Sequence, residues 1–157
     1  MKYQGEKIQT LGIEVLVIPR QAKKIVIKAQ PVLSYDEFDQ ICKSPVAPMI
    51  IKANGEQFTD LNDKQYNGLL ELYSKKRMAW MFLKSLQASE DLEFETVDFK
   101  NPDTWINYEK EMKEFFSVAE YVMIQRLVLS ACGLNMEKIE EATKNFIAGQ
   151  GKETKSQ

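Results

Sequence analysis

The chain has 157 residues, of which 44% are hydrophobic and 28% charged, with a formal net charge of -2 and an isoelectric point near 5.4. This length is that of one ordinary domain with its own core, and the slight acidic excess argues against binding to nucleic-acid phosphates, which depends on lysine and arginine. The sequence contains no histidine, so the usual general base near neutral pH and the commonest metal ligand are both absent.

The N-terminal part of the chain predicts antiparallel β-structure. The segments at 13–20 (IEVLVIPR) and 23–29 (KKIVIKA) are rich in isoleucine and valine, and the second alternates polar and apolar residues like a half-buried strand. A short helix is predicted over 34–43, where Ser34 can cap the first turn. A second hairpin is predicted around Asn54-Gly55, because this dipeptide favours a type I′ turn between the flanking strands MIIKA and EQFTD.

The remainder of the chain predicts helices at 63–87, 102–115, 117–133 and 135–147. In the first of them the run MAWMFL is apolar on nearly all sides, so we expect that turn either to be buried from several directions or to face a partner in part. Ser117 and Glu120 have the spacing of a capping box. The link before the second helix is expected to be extended, with a short strand at Leu92, Phe94 and Val97.

Together these elements predict an α+β fold in which a small N-terminal antiparallel β portion precedes a bundle of about four helices. We expect a single domain over 1–149, mainly β over 1–60 and mainly α over 61–149. The polar tail at 150–157 is predicted to be disordered. No apolar run is long enough to cross a membrane, and the N-terminus lacks the apolar core of a signal peptide, which predicts a cytoplasmic protein.

No motif in the sequence predicts catalysis, a cofactor or a metal site. The glycines are scattered rather than grouped in a phosphate-binding loop, and neither Cys42 nor Ser130 has a histidine to activate it. Each cysteine is expected to be a small hydrophobic residue rather than half of a disulfide. The alternative is a divalent-metal site in the acidic run at 90–95, although its spacing does not match an EF-hand loop.

A nucleic-acid partner is not expected. The last two predicted helices are joined by a glycine-containing turn, which is also the outline of a helix-turn-helix. The second of them carries Glu137, Glu140 and Glu141 where a recognition helix would approach phosphates, and two lysines do not compensate.

The large apolar side chains of the helices are the remaining functional signal. Most must form the core, but aromatic and methionine-rich surfaces also adapt to apolar partners. Our partner-binding candidates, of which one or two are expected to be surface-exposed, are Trp80, Met81, Phe82, Trp105, Phe115, Phe116 and Tyr121.

The order of features from Val32 to Gly149 resembles the tail assembly chaperones of long-tailed bacteriophages. The resemblance lies in the order of the elements and their general composition rather than in a specific sequence motif. It does not include the strands before Val32. The segments that carry it are SPVAPMIIKANGEQ (44–57), NDKQY (62–66), KSLQASEDLEFETVDFKNPDTW (84–105), YEKEMKEFFSVAEYVMI (108–124) and NMEKIEEATKNFIAG (135–149).

This resemblance implies a non-catalytic function in the host cytoplasm. Members of the family bind the tape measure protein transiently, keep it soluble, help tail tube subunits to assemble around it, and are missing from the finished virion. The tail tube protein is then a second partner, homo-oligomers are compatible with the family, and in many members a frameshifted longer form exists. The alternative is a small structural tail or connector protein that stays in the virion.

Overall fold

The computed structural model describes residues 2–7 and 11–153, with side chains described through 149. It confirms the α+β class: short antiparallel strand pairs lie in the N-terminal part and most of the helices follow. The elements in chain order are β1 (Lys2–Tyr3), β2 (Glu6–Lys7), β3 (Glu14–Pro19), β4 (Lys24–Ala29), α1 (Asp36–Ile41), β5 (Met49–Ile51), β6 (Gln57–Thr59), α2 (Lys64–Leu86), a 3-10 helix (Pro102–Asn107), α3 (Tyr108–Phe115), α4 (Val118–Ala131) and α5 (Met136–Glu153).

The strands form three separate hairpins rather than one sheet. The β3–β4 hairpin is the longest, with Val17 opposite Val26 and Leu16 opposite Ile27. Because side chains alternate between the two faces of a strand, Ile18 and Ile27 point towards the helices and are buried, whereas Val17 is 52% exposed on the other face. The two strands predicted at 13–20 and 23–29 are therefore confirmed.

The centre of the core is the C-terminal half of α2. Trp80, Phe82 and Leu83 are buried there, as expected for the apolar turn at 78–83, although Met78 in the same turn is 58% exposed. The ring of Phe38 from α1 lies 5.9 Å from that of Trp80 and 5.8 Å from that of Trp105. These aromatic contacts join α1, α2 and the 3-10 helix around one buried centre.

The link after α2 differs from the prediction. No strand forms at Leu92, Phe94 and Val97, because side-chain hydrogen bonds hold this segment instead of a neighbouring strand. The indole Nε1 of Trp105 donates to the carbonyl of Asp98 at 3.1 Å. The helix predicted over 102–115 begins at Pro102 as expected, but its first six residues are a 3-10 helix.

The hairpin turns also correct the prediction. At Asn54-Gly55 only Gly55 has a positive φ, of 85°, and Lys52 N donates to Glu56 O at 2.8 Å. The connection is therefore a three-residue loop ending in a left-handed glycine rather than a type I′ turn. Positive φ at two successive residues, as type I′ requires, occurs instead at Gln4 and Gly5, between two strands that the sequence reading did not predict.

The last two helices begin and end where the sequence predicts, with one difference at the C-terminus. Ser117 and Glu120 form the expected capping box, and Gly133, with φ of 81°, follows the end of α4. Asn135 Oδ1 accepts from Lys138 N at 3.1 Å at the start of α5. Helix α5 continues to Glu153, and 154–157 lies outside the described residues, so the disordered tail at 150–157 stays a prediction. None of the described helices has an apolar stretch long enough to cross a membrane.

Candidate functional site

A groove lies between the link that follows α2, which we call the acidic link (89–101), and the end of α3. Its volume is about 450 Å³. Apolar and acidic side chains both line it. The residues that line this acidic groove are Asp91, Leu92, Glu93, Phe94, Glu95, Glu111, Met112, Glu114, Phe115 and Phe116.

The end of α3 brings two adjacent phenylalanines to the groove, one exposed and one buried. Phe116 has left the helix, with an extended backbone at φ -106° and ψ 144°, and its side chain is buried. Phe115 is the last helical residue and is 64% exposed. The two rings meet edge to face with centroids 4.9 Å apart, so the exposed ring is supported by a fixed one.

Glu111 holds the acidic link against α3. Its carboxylate accepts hydrogen bonds from the backbone N–H groups of Glu95 and Thr96, both at 2.8 Å, and from the Thr96 hydroxyl. Burial raises the pKa of Glu111, but these three hydrogen bonds outweigh it and hold the pKa below its ordinary value. The carboxylate is therefore ionised at neutral pH and ties the acidic link to α3, so the groove is preformed.

The groove presents negative charge next to apolar surface. Five carboxylates line it, and of these Glu114 pairs with Lys110 at 3.7 Å in an exposed contact that has little energetic value. Such a border favours a partner segment whose apolar side chains are flanked by lysine or arginine. Among the residues described, no group of three or more histidine, cysteine, aspartate or glutamate side chains is arranged to hold a metal ion.

The seven side chains predicted to bind a partner divide sharply by burial. Trp80, Phe82, Trp105, Phe116 and Tyr121 are buried at 0–7% exposure. These five pack in the core, and of them Phe116 also lines the acidic groove; their role in partner binding stays a prediction. Met81 is half-buried against the core and Phe115 is exposed, which fits the expectation that one or two of the seven reach the surface.

The chain matches no known protein family, no curated protein and no solved structure. The acidic groove is therefore interpreted from its own geometry. Sequence reasoning identified Phe115 and noticed the acidic run at 90–95, but it missed Glu111 as the residue that holds the groove open. The signal was weak: Glu111 is one of several glutamates in α3, and only the fold brings it to Thr96.

Other exposed apolar surfaces lie away from the acidic groove. In the β5–β6 hairpin both faces are exposed, including Met49 at 64% and Ile51 at 65%. The total accessible surface is 12237 Å², whereas a compact monomer of 18.1 kDa exposes about 8,000 Å². Exposed apolar side chains such as these contribute to that surface.

Proposed function

We propose that this protein is a non-catalytic binding protein that holds a polypeptide segment in the acidic groove. The observation that carries the proposal is the exposed Phe115 ring in a preformed groove that apolar and acidic side chains both line. A bound segment would place an apolar side chain against Phe115 and direct lysine or arginine towards Glu93 and Glu95. Shielding such a side chain from water contributes about 1.5–3 kcal/mol, and each exposed ion pair adds no more than about 1 kcal/mol.

Contacts of this size suit a temporary association. One such side chain and two ion pairs contribute at most about 5 kcal/mol, which corresponds to a dissociation constant of about 0.2 mM and allows rapid release. Together with the resemblance described above, this supports a tail assembly chaperone that binds the tape measure protein in the host cytoplasm until tail tube subunits enclose it. The tape measure protein is the proposed primary partner and the tail tube protein a second one.

Co-expression with the tape measure protein of the same genome tests this function. We expect the wild-type chain to keep the tape measure protein soluble and Phe115→Ser to lose most of that effect. Leu69→Ser is the matched control, because Leu69 is also exposed, at 50%, but lies on α2 outside the groove. Unchanged solubility of the tape measure protein with the wild-type chain would refute the chaperone function.

The second candidate function is a small structural tail or connector protein. The exposed β5–β6 hairpin favours it, because a two-stranded hairpin without a packing partner is only marginally stable in water and would be covered permanently in a virion. Mass spectrometry of purified virions separates the two functions: a structural component is present in stoichiometric amounts, and a chaperone is missing.

A further inference from the structure

Two apolar faces elsewhere in the molecule have no partner within the described residues. The first is the outer face of the β3–β4 hairpin, which we define as Val15, Val17, Lys24, Val26 and Lys28. The second is a stripe along α5, defined as Met136, Ile139, Phe146 and Ile147. The stripe residues are 44–64% exposed.

We infer that these two faces bind each other between two copies of the chain, so that α5 of each copy lies on the outer face of the other. The contact is reciprocal and closes with two-fold symmetry. The inference is independent of the function proposed for the acidic groove, since neither face contributes to that groove.

The charges beside the two apolar faces are complementary. In the β3–β4 register, Lys28 lies opposite Val15 and Lys24 opposite Pro19, so both lysines project from the outer face along the β4 side. At 3.6 residues per turn, Glu140 borders the α5 stripe on one side, while Glu137 and Lys138 lie farther round the helix beyond opposite edges of the stripe. Lys144 follows Glu140 one turn later on the same border, so the acidic part is the N-terminal half of α5. None of the ion pairs within the described residues involves Lys24, Lys28, Glu137 or Glu140.

The lengths of the two faces also agree. From Met136 to Ile147 the helix rises about 16 Å at 1.5 Å per residue. From Val15 to Pro19 the strand covers about 13 Å at 3.3 Å per residue. One helix can therefore cover the outer face from end to end, with Ile139 and Phe146 placed over the valines.

The connection between α4 and α5 argues for a second copy rather than the same chain. Helix α4 packs on the inner face of the hairpin, where Ser130 Oγ donates to Glu14 at 2.8 Å and Arg20 pairs with Glu120 at 2.9 Å. Helices on opposite faces of one sheet have axes about 20 Å apart. Only 132–135 join the two helices, and this link is folded into a turn in which Leu134 N donates to Leu129 O, so α5 cannot reach its own outer face.

A standard dimer interface takes about 800 Å² from each partner. Because the two-fold axis repeats the helix-on-sheet contact, each copy contributes both a helix and a sheet face.

Sedimentation analysis of the full chain with reciprocal charge reversals is the first test. We expect a concentration-dependent dimer that weakens as salt is raised, because the paired charges lie at the rim. Lys28→Glu and Glu140→Lys should each raise the dimer dissociation constant about tenfold, and the double variant should recover most of that loss. Lys100→Glu is the control, since Lys100 is exposed in the link away from both faces.

A second measurement identifies the partner of α5. A carbodiimide joins lysine to a neighbouring carboxylate, and we expect Lys28–Glu140 cross-links that combine unlabelled and ¹⁵N-labelled chains in a mixed sample. Circular dichroism of each variant verifies that its fold is retained. The inference is overturned if the wild-type chain stays monomeric up to about 500 μM, well above ordinary interface affinities. It is also overturned if the double variant fails to recover, or if cross-links form only within one chain.

Discussion

The two halves of α2 show how one continuous helix can serve two different purposes. Over 64–77 no residue is buried, and Leu69 is 50% exposed. Over 78–86 six residues are buried, and Leu83 is only 1% exposed. The C-terminal half is richer in apolar residues, with seven of nine against five of fourteen, and its side chains are covered where α2 packs on the 3-10 helix, α4 and β4. The comparison teaches that an apolar stripe predicts a face that can be buried, and that tertiary neighbours decide whether it is.

The largest expected effect is the difference in unfolding free energy between alanine variants of two leucines on this helix. Leu83→Ala should lower the free energy of unfolding by about 2–5 kcal/mol, because it leaves a cavity in a close-packed core. Leu69→Ala should change it by less than about 0.5 kcal/mol. Urea denaturation followed by circular dichroism measures both. Equal losses for the two variants would show that the N-terminal half of α2 is buried in solution, against the structure.

Two serines allow a finer test of the same contrast. Ser85 is fully buried and its hydroxyl donates to the carbonyl of Gln30 at 2.7 Å, whereas the hydroxyl of the exposed Ser74 donates to Leu70 O in its own helix. Ser85→Ala should cost about 1–3 kcal/mol, because a buried carbonyl loses a hydrogen-bond donor. Ser74→Ala should be close to neutral, since the helix does not need that hydrogen bond and alanine is a better helix former. Thermal unfolding of both variants decides the point; a loss confined to Ser74→Ala would contradict this contrast.

The smallest expected effect concerns the acidic link, which follows the buried C-terminal half of α2. The folded pKa of Glu111 is lowered, so its contribution to stability is present above the ordinary carboxylate pKa and is lost as pH falls through the folded value. Glu111→Gln should cost about 1 kcal/mol at pH 7 and should reduce the loss of stability between about pH 5 and pH 3. Glu109→Gln is the control, because Glu109 makes only an exposed pair with Lys113. Chemical denaturation at several pH values measures the difference, and identical acid sensitivity in wild type and Glu111→Gln would remove Glu111 as the residue that fixes the link.

Much of the fold follows from local sequence signals. Asp63 caps α2 through a hydrogen bond from Tyr66 N at 2.7 Å, and the capping box at Ser117 forms as its spacing predicts. These features depend on residues within a single helical turn, so the sequence contains all the information they require.

The features that sequence reasoning missed depend on distant residues. The link at 89–101 has the alternating apolar residues of a strand, but within the described part of the chain no strand pairs with it, and Glu111 and Trp105 hold it instead. Phe115 and Phe116 look equivalent in the sequence, yet the helix ends between them and only one stays exposed. The acidic groove could therefore be predicted only in part, through Phe115 and the carboxylates of the link.

The way β4 meets the end of α2 has a consequence for how the protein behaves at high concentration. Ser89 Oγ accepts from Lys28 N at 2.7 Å and donates to Lys28 O at 2.8 Å, and Gln30 N donates to Ser85 O at 2.9 Å. These groups occupy the positions that an adjacent strand would otherwise fill. Fibrillar growth by strand addition is thereby blocked at this end of β4. A chain with many exposed apolar side chains is in this way protected from one common route to amyloid.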